Sequence, residues 1–333
     1  MIIGLTYDLR SDYLKEGYSD EETAEFDAEV TIDAIETTLN ELGYQTERIG
    51  NFKSLVNKVS GGKRWDLVFN ICEGMYGVGR EAQVPALLDA YQIPYVFSDP
   101  LVLALTLHKG LTKRVVRDVG IPTADFEVVE TIEDVDKVNL SYPLFVKPVA
   151  EGTGKGIDTK SKVTSPFHLI NACESLLNQF NQPVLVETYL SGREFTVGIV
   201  GTGKNARVVG VMEIVVTDKA PESVYSYTTK ENWHGVVEYP LAKGHDYDMC
   251  AQTALRAWQA LGCRDGGRID LKMDNYGIPN FIEVNPLAGI NPEHSDLPML
   301  AKKNGISYHQ LMGMIMDSAI ARVEKSVIST EIK

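Results

Sequence analysis

Short apolar runs alternate along the N-terminal third of the chain with stretches in which apolar residues recur every three or four positions. MIIGLTYD, YQTERIG, WDLVFNI and IPYVFS read as strands, and VPALLDAY as a helix between the last two. DAEVTIDAIETTLNELG has helical spacing and is ended by Gly43. This alternation predicts a small α/β lobe of parallel-sheet type over residues 1–98. The segment between the first strand and helix, RSDYLKEGYSDEETAEF, is long and acidic and reads as a solvated loop. Loops in that position, beyond strand ends, are where substrate contacts gather.

The pattern changes after residue 98. A second lobe is expected over 99–188: helix LHKGLTKRVVRDVG stopped by Gly120, strands ADFEVVE, YPLFVKPV and PVLVETYL, and helix HLINACESLLNQF. A third, over 189–333, holds strands FTVGIVG and ARVVGVMEIVV, helix YDMCAQTALRAWQALG, a hairpin, and a C-terminal helix from Tyr308. The hairpin, RIDLKMDNYGIPNFIEVNP, is the most constrained piece. A loop symmetric about Tyr276 and Gly277 sets Asp270 opposite Glu283, Arg268 opposite Asn285 and Lys272 opposite Phe281. Those polar residues then share one face, and Ile269, Leu271, Met273, Ile282 and Val284 share the core face.

Like charges directly opposed destabilise a strand pair. Two readings account for Asp270 and Glu283: neutralisation by Arg268 and Lys272 on a solvated face, or a divalent cation held by both carboxylates and the Asn285 amide oxygen. Such hard oxygen ligands suit magnesium when substrate phosphates complete its shell.

Composition narrows the setting. The chain has 333 residues, 44% of them hydrophobic, enough for a substantial core divided among lobes. A formal net charge of −14 argues against nucleic acid or an anionic membrane as partner. No apolar run approaches a membrane span, and MIIGLTYD reads as a buried strand and not as a signal peptide. Cys72, Cys173, Cys250 and Cys263 lack metal or redox spacing, which fits a reducing cytoplasm.

The stretch FVKPVAEGTGKGID delivers Lys147 from a strand into a turn with three glycines, where successive N–H groups can cradle phosphate oxygens. It is neither a P-loop nor a dinucleotide fingerprint, so a dehydrogenase is disfavoured. Further on, VLVETYLSGREFTV places Glu187 at a strand end and Glu194 past a turn, positions from which acids accept hydrogen bonds from a ribose or an adenine amine. Each segment alone also reads as an ordinary hairpin tip or a surface carboxylate.

Their order is more specific. Lys109, then Lys147 with Glu151–Gly156, then E-x-x-L-x-G-x-E-F over 187–195, then R-I-D…E-x-N over 268–285 resembles the ATP-grasp superfamily. LGCRDGGRID and NPLAGINPEHSDLP, flanking the hairpin strands, make the chain similar to the D-alanine–D-alanine ligases within it. The resemblance implies an ATP-grasp fold, with residues 1–98 as substrate lobe and 99–188 and 189–333 as the central and C-terminal lobes that hold the nucleotide. It implies ATP- and magnesium-dependent joining of an amino-acid carboxylate to an amine through an acyl phosphate, for cell-wall precursor synthesis or with other amino acids or peptides.

Residue by residue, Lys109, Lys147 and the glycine loop (Glu151, Gly152, Thr153, Gly154, Gly156) match the phosphate contacts. Glu187 and Glu194, with Tyr189 and Leu190, match the adenine and ribose side, and Lys230 a lysine near the γ-phosphate. Asp270, Glu283 and Asn285 match the ligands of two magnesium ions, a site manganese can also fill. Arg268 and the Gly289 N–H match oxyanion donors, and Ser295 the hydroxyl that receives the second substrate's carboxylate.

The resemblance departs on the substrate side. The N-terminal serine–alanine–glutamate is missing, leaving Glu25 as the counterpart for gripping an ammonium. The usual histidine–glycine is replaced by CEG, residues 72–74; the loop serine is Thr153, and the tyrosine after the loop lysine is Glu231. Arg80 and Glu81 in GVGREAQVP fall on the substrate side, with Arg80 placed to bind a carboxylate. The family also suggests a homodimer. A small-molecule kinase that stops at phosphoryl transfer, a non-catalytic nucleotide-binding regulator and a biotin-dependent carboxylase module are the alternatives; the retained Arg268, Asp270, Glu283 and Asn285 argue against the regulator.

Overall fold

The computed structural model describes residues 1–217 and 236–331. Among the described residues the strands form three sheets, each next to one wall of the candidate site. The first is parallel, in the order β2-β1-β3: β1 Ile2–Tyr7, β2 Gln45–Gly50 and β3 Leu67–Ile71. β3 is buried along its whole length, as a central apolar run demands, whereas the polar edge strand β2 stays half-exposed. Helices α1 (Arg10–Glu16), α2 (Glu29–Glu41), α3 (Phe52–Ser60) and α4 (Gln83–Ala90) belong to this region.

Two sequence expectations change here. The acidic segment after β1 contains α1, stopped by Gly17 in the left-handed region, where the absence of a Cβ removes the steric cost. The expected fourth strand, IPYVFS, makes only a bridge from Tyr95 to Val68. It ends because Phe97 turns to φ +77 and donates its N–H to Asp265 Oδ2 at 2.9 Å, outside the sheet.

Helices α5 (Pro100–Leu107) and α6 (Lys109–Asp118) follow, each started by a side-chain cap, from Asp99 and His108 respectively. The second sheet is antiparallel, β4-β7-β5-β6, from β4 Phe126–Val129, β5 Leu144–Pro148, β6 Lys162–Val163 and β7 Val184–Thr188. Helix α7 (Pro166–Phe180) starts at a Ser165 cap with Pro166 in its first turn and buries Leu169, Cys173 and Leu176 against that sheet.

The third sheet runs β10-β9-β8-β11-β12: β8 Glu194–Val200, β9 Arg207–Val216, β10 Val237–Glu238, β11 Gly266–Met273 and β12 Pro279–Asn285. Helix α8 (Gly244–Leu261) covers one face through the buried Ala254, Ala257 and Trp258. The last helices are α9 (Asp296–Lys303) and α10 (Tyr308–Glu331). Leu311, Met312, Ile315, Met316 and Ala319 of α10 share one core with Ile3 and Leu5 of β1 and Ile32, Ile35 and Leu39 of α2. No described helix is long and apolar enough to cross a membrane.

The hairpin register holds for its functional half. Arg268 pairs with Asn285 and Asp270 with Glu283, but a bulge follows, so Leu271 pairs with Phe281 and Lys272 with Asn280. Ile282 is the extra residue. A bulge re-aims side chains, and Ile282 leaves the expected core face to line the cavity described next.

Candidate active site

Two cavities meet in a trough bounded by the second and third sheets and the N-terminal region. One, of ≈ 500 Å³, lies between the second and third sheets; the other, of ≈ 560 Å³, lies between the third sheet's β12 end and the segments around Glu25 and Glu73. Lys109, Glu151, Thr153, Arg268, Glu283 and Asp296 line both. The expected phosphate machinery and hairpin residues thus come together.

In the first cavity the apolar surface comes from Phe145, Ile157, Tyr189, Leu190, Ile214 and the bulged Ile282. The ammonium of Lys162 stands 4.2 Å over the Tyr189 ring. Next to this slot, β5 delivers Lys147, whose Nζ lies 3.0 Å from Glu187 Oε1. The other Glu187 oxygen is 2.7 Å from Lys113, a fully buried lysine one helical turn beyond Lys109. Burial alone would raise the Glu187 carboxyl, but Lys113 and Lys147 outweigh it and hold it at about 2. Glu187 therefore faces two lysines, and its carboxylate anchors Lys147 beneath the cavity. Glu194 is 2.8 Å from Lys272 across the paired strands β8 and β11.

The glycine loop wraps over the junction. Lys109 donates to the Glu151 carbonyl at 2.5 Å and its own N–H to the Val149 carbonyl at 3.0 Å, so helix α6 is tied to the loop's start. Thr153 and Gly154 both have positive φ, +50 and +77, a turn that exposes the loop's backbone to the cavity. A threonine in that region is strained, as residues held at functional turns often are. Lys155, expected only as a loop residue, is buried and paired with Glu151 at 2.5 Å.

At the junction itself the paired carboxylates are partly compensated. Asp270 accepts from Thr196 Oγ1 at 2.5 Å and from Asn285 Nδ2 at 3.2 Å, with Arg268 3.3 Å away; Glu283 is 3.5 Å from Lys109. The amide orientation of Asn285 is interchangeable by a flip. Two carboxylates and an amide on one face, each in register with the other strand, form the hard-oxygen set that a magnesium ion accepts when phosphate oxygens supply the rest of its shell. The residues fit such an ion. Among the described residues there is no group of three or more His, Cys, Asp and Glu that would hold a metal without help from a substrate.

The second cavity alters the substrate-side expectations. Arg80 does not face it: the guanidinium is buried, bonded to Glu25 Oε2 at 2.9 Å and to the Ala150 carbonyl at 2.9 Å. Glu25 in turn accepts the Gly152 N–H at 2.7 Å and lies 3.6 Å from Lys155. Burial would raise Glu25, but Arg80 and Lys155 hold it below its ordinary value. These two residues brace the glycine loop against the N-terminal region, so their charges are consumed internally. Glu25 and Glu81 both line the cavity, and with them stand Asp27 and Glu73, which sequence reasoning passed over. Ser295 and Gly289 are there as expected, with Ser295 Oγ accepting the Asn291 N–H at 3.0 Å.

Asp296, the residue after Ser295, forms an ion pair with Arg268 at the junction and was also missed. Its adjacency to Ser295 was the signal for it, and the four-residue spacing from Lys109 was the signal for Lys113. Lys230 and Glu231 lie outside the described residues.

Residues 115–317 match the family model for the C-terminal part of D-alanine–D-alanine ligases. The D-alanine–D-alanine ligase of Bordetella avium is 33% identical over 264 residues, covering 78% of this chain and 80% of that one. The ligase of Bordetella pertussis is 34% identical over 278 residues, covering 81% and 83%. In fold, the chain is similar to the crystal structure of Bacillus anthracis D-alanine–D-alanine ligase complexed with ATP, with a TM-score of 0.73, 23% identity, and 98% and 99% of the two chains covered. Sequence likeness over most of the chain and the ATP-grasp architecture agree: the chain belongs to the D-alanine–D-alanine ligase family.

Proposed function

We propose that the protein uses ATP and magnesium to join an amino-acid carboxylate to an amine, as a D-alanine–D-alanine ligase or a close relative acting on another amino-acid pair. The observation that carries this reading is the meeting of two cavities at one set of charged residues, Lys109, Arg268 and Glu283 among them. The first has a slot for a flat base and lysines for phosphates; the second has the size and polarity for amino acids.

In this reading Lys109 and Lys147 hold the nucleotide phosphates. Glu187 keeps Lys147 oriented, and burial and the nearby acids decide its charge: burial lowers the Lys147 pKa, but Glu187 and Glu283 outweigh it and leave it raised, fully protonated. Glu194 and Lys272 serve the ribose side, and Thr153 and the loop backbone close over the transferred phosphoryl group. Asp270, Glu283 and Asn285 would hold magnesium, which when bound offsets the repulsion between a carboxylate and phosphate oxygens. The substrate carboxylate takes the phosphoryl group at the junction; the second substrate's amine attacks the acyl phosphate, and phosphate leaves. Arg268 and the Gly289 N–H, which both line the second cavity, would supply the donors that the tetrahedral oxyanion needs. Asp296 fixes the guanidinium plane from the opposite side, and Ser295 receives the second substrate.

The test is phosphate release from ATP with magnesium across D- and L-amino acids, with products identified by mass. An amide product supports the reading. A stable phosphorylated product formed without an amine points to a kinase, and phosphate release without an amide points to hydrolysis; either removes it. Asp270→Ala and Glu283→Ala should each abolish turnover while leaving the thermal midpoint within a few degrees of the parent; undiminished turnover would remove both from the metal site.

A further inference from the structure

The wall of the second cavity carries more carboxyl groups than one substrate ammonium can pair with. Asp27, Glu73 and Glu81 all line it, on segments that follow β1 and β3. The cations nearby are already engaged. Arg80 is bound to Glu25, Lys155 to Glu151 and Glu25, and Arg10 to Asp20 at 3.1 Å; Lys109 lies beside Glu283, and Arg268 beside Asp270 and Asp296.

Among the described residues, no salt bridge reaches Asp27, Glu73 or Glu81, and neither Glu73 nor Glu81 accepts a side-chain hydrogen bond. Their environment shows the cost. Burial raises Asp27 to about 7 even with the Thr31 hydroxyl beside it, and raises Glu81 to about 7 despite Arg80. Burial and the charges of Glu81 and Glu25 push Glu73 well above its ordinary value. Half-buried carboxyls that line a cavity without a cationic partner mark a place where a ligand can supply the charge.

We propose that this cavity takes an amino acid with a second amine, a diamino acid, whose extra ammonium is held by Glu73 and Glu81 while Asp27 faces the α-ammonium. The proposal rests on the ligase reading and specifies its substrate class. The reacting carboxylate points to Lys109 and Arg268 at the junction, and the side-chain amine reaches the opposite wall. An apolar side chain such as a methyl group leaves both glutamates desolvated and unpaired. A free acidic side chain meets like charge.

The experiment compares phosphate release and product mass for alanine, 2,3-diaminopropionate, ornithine and lysine in both stereochemical forms, each tested with itself and with alanine. The same panel is run on Glu73→Gln and Glu81→Gln, and ATP affinity is measured separately. The expected result is a kcat/KM for at least one diamino acid on the order of 100-fold above alanine, falling by about 10-fold or more in either variant with ATP affinity kept. Equal or better turnover of alanine, or a diamino preference that survives both substitutions, overturns the proposal and leaves the ligase reading standing. ATP turnover with no amide from any pair overturns both. Circular dichroism and ATP binding show whether each variant is folded.

Discussion

Single residues in this molecule divide into those that spend their charge on the protein and those that keep it for a ligand. Glu187 is of the first kind, sealed between Lys113 and Lys147. Removing one member of such a buried group leaves the others uncompensated, at a cost of about 3–5 kcal/mol. Glu187→Gln is therefore expected to lower the denaturation midpoint and weaken ATP binding together. Loss of ATP affinity with full stability would mean that the carboxylate serves the nucleotide directly.

Asp27 and Glu81, which the diamino-acid proposal assigns to a ligand, have raised pKa values that fix a direction. Their neutral forms are favoured in the fold, so the stability they contribute is complete below about pH 4, the unfolded carboxylate value. It is lost as pH rises towards 7, at about 1.4 kcal/mol for each tenfold fall in proton concentration. Asp27→Asn and Glu81→Gln should thus stabilise the protein at pH 8 and converge with the parent near pH 4. A pH-independent difference in urea midpoints would show that neither acid titrates as its burial requires.

At the scale of elements, the hairpin β11–β12 shows what a sequence can and cannot disclose. Strict alternation in RIDLKMD aligned Asp270 with Glu283 because a slip by one residue would have buried the charges. The bulge at Ile282 left no trace, since an apolar residue reads alike whether it faces a core or an apolar slot. The pairing of Arg80 with Glu25 was equally hidden: the two belong to separate segments brought together only by the fold, and a loop arginine looks the same before it is buried. Lys109, Lys147 and the glycine loop were legible because strand, turn and helix signals each located them independently. The loop also has little room. A Cβ on Gly152 would come 2.5 Å from Glu25 Oε1, an atom that accepts the Gly152 N–H itself and belongs to a carboxylate whose other oxygen is held by Arg80. Gly152→Ala should displace the loop and raise the KM for ATP by about 10-fold, an effect of order 1.4 kcal/mol; an unchanged KM would show that Glu25 yields freely.

Across the whole molecule, the three sheets are stitched by contacts far apart in sequence: Arg80 to the Ala150 carbonyl, Phe97 to Asp265, Asn291 to Thr31. High salt should have little effect on these enclosed contacts while screening the surplus surface charge of a chain at −14, so moderate salt is expected to raise the thermal midpoint. A midpoint that falls with salt would place the dominant electrostatics in exposed pairs. The packing of α10 on the N-terminal sheet has a consequence for biosynthesis. Ile3, Leu5 and Ile35 leave the ribosome long before Met312, Ile315 and Met316, which share their core. The nascent sheet must wait with its apolar face bare, a long interval in which a holdase chaperone is the natural occupant of the place α10 will take.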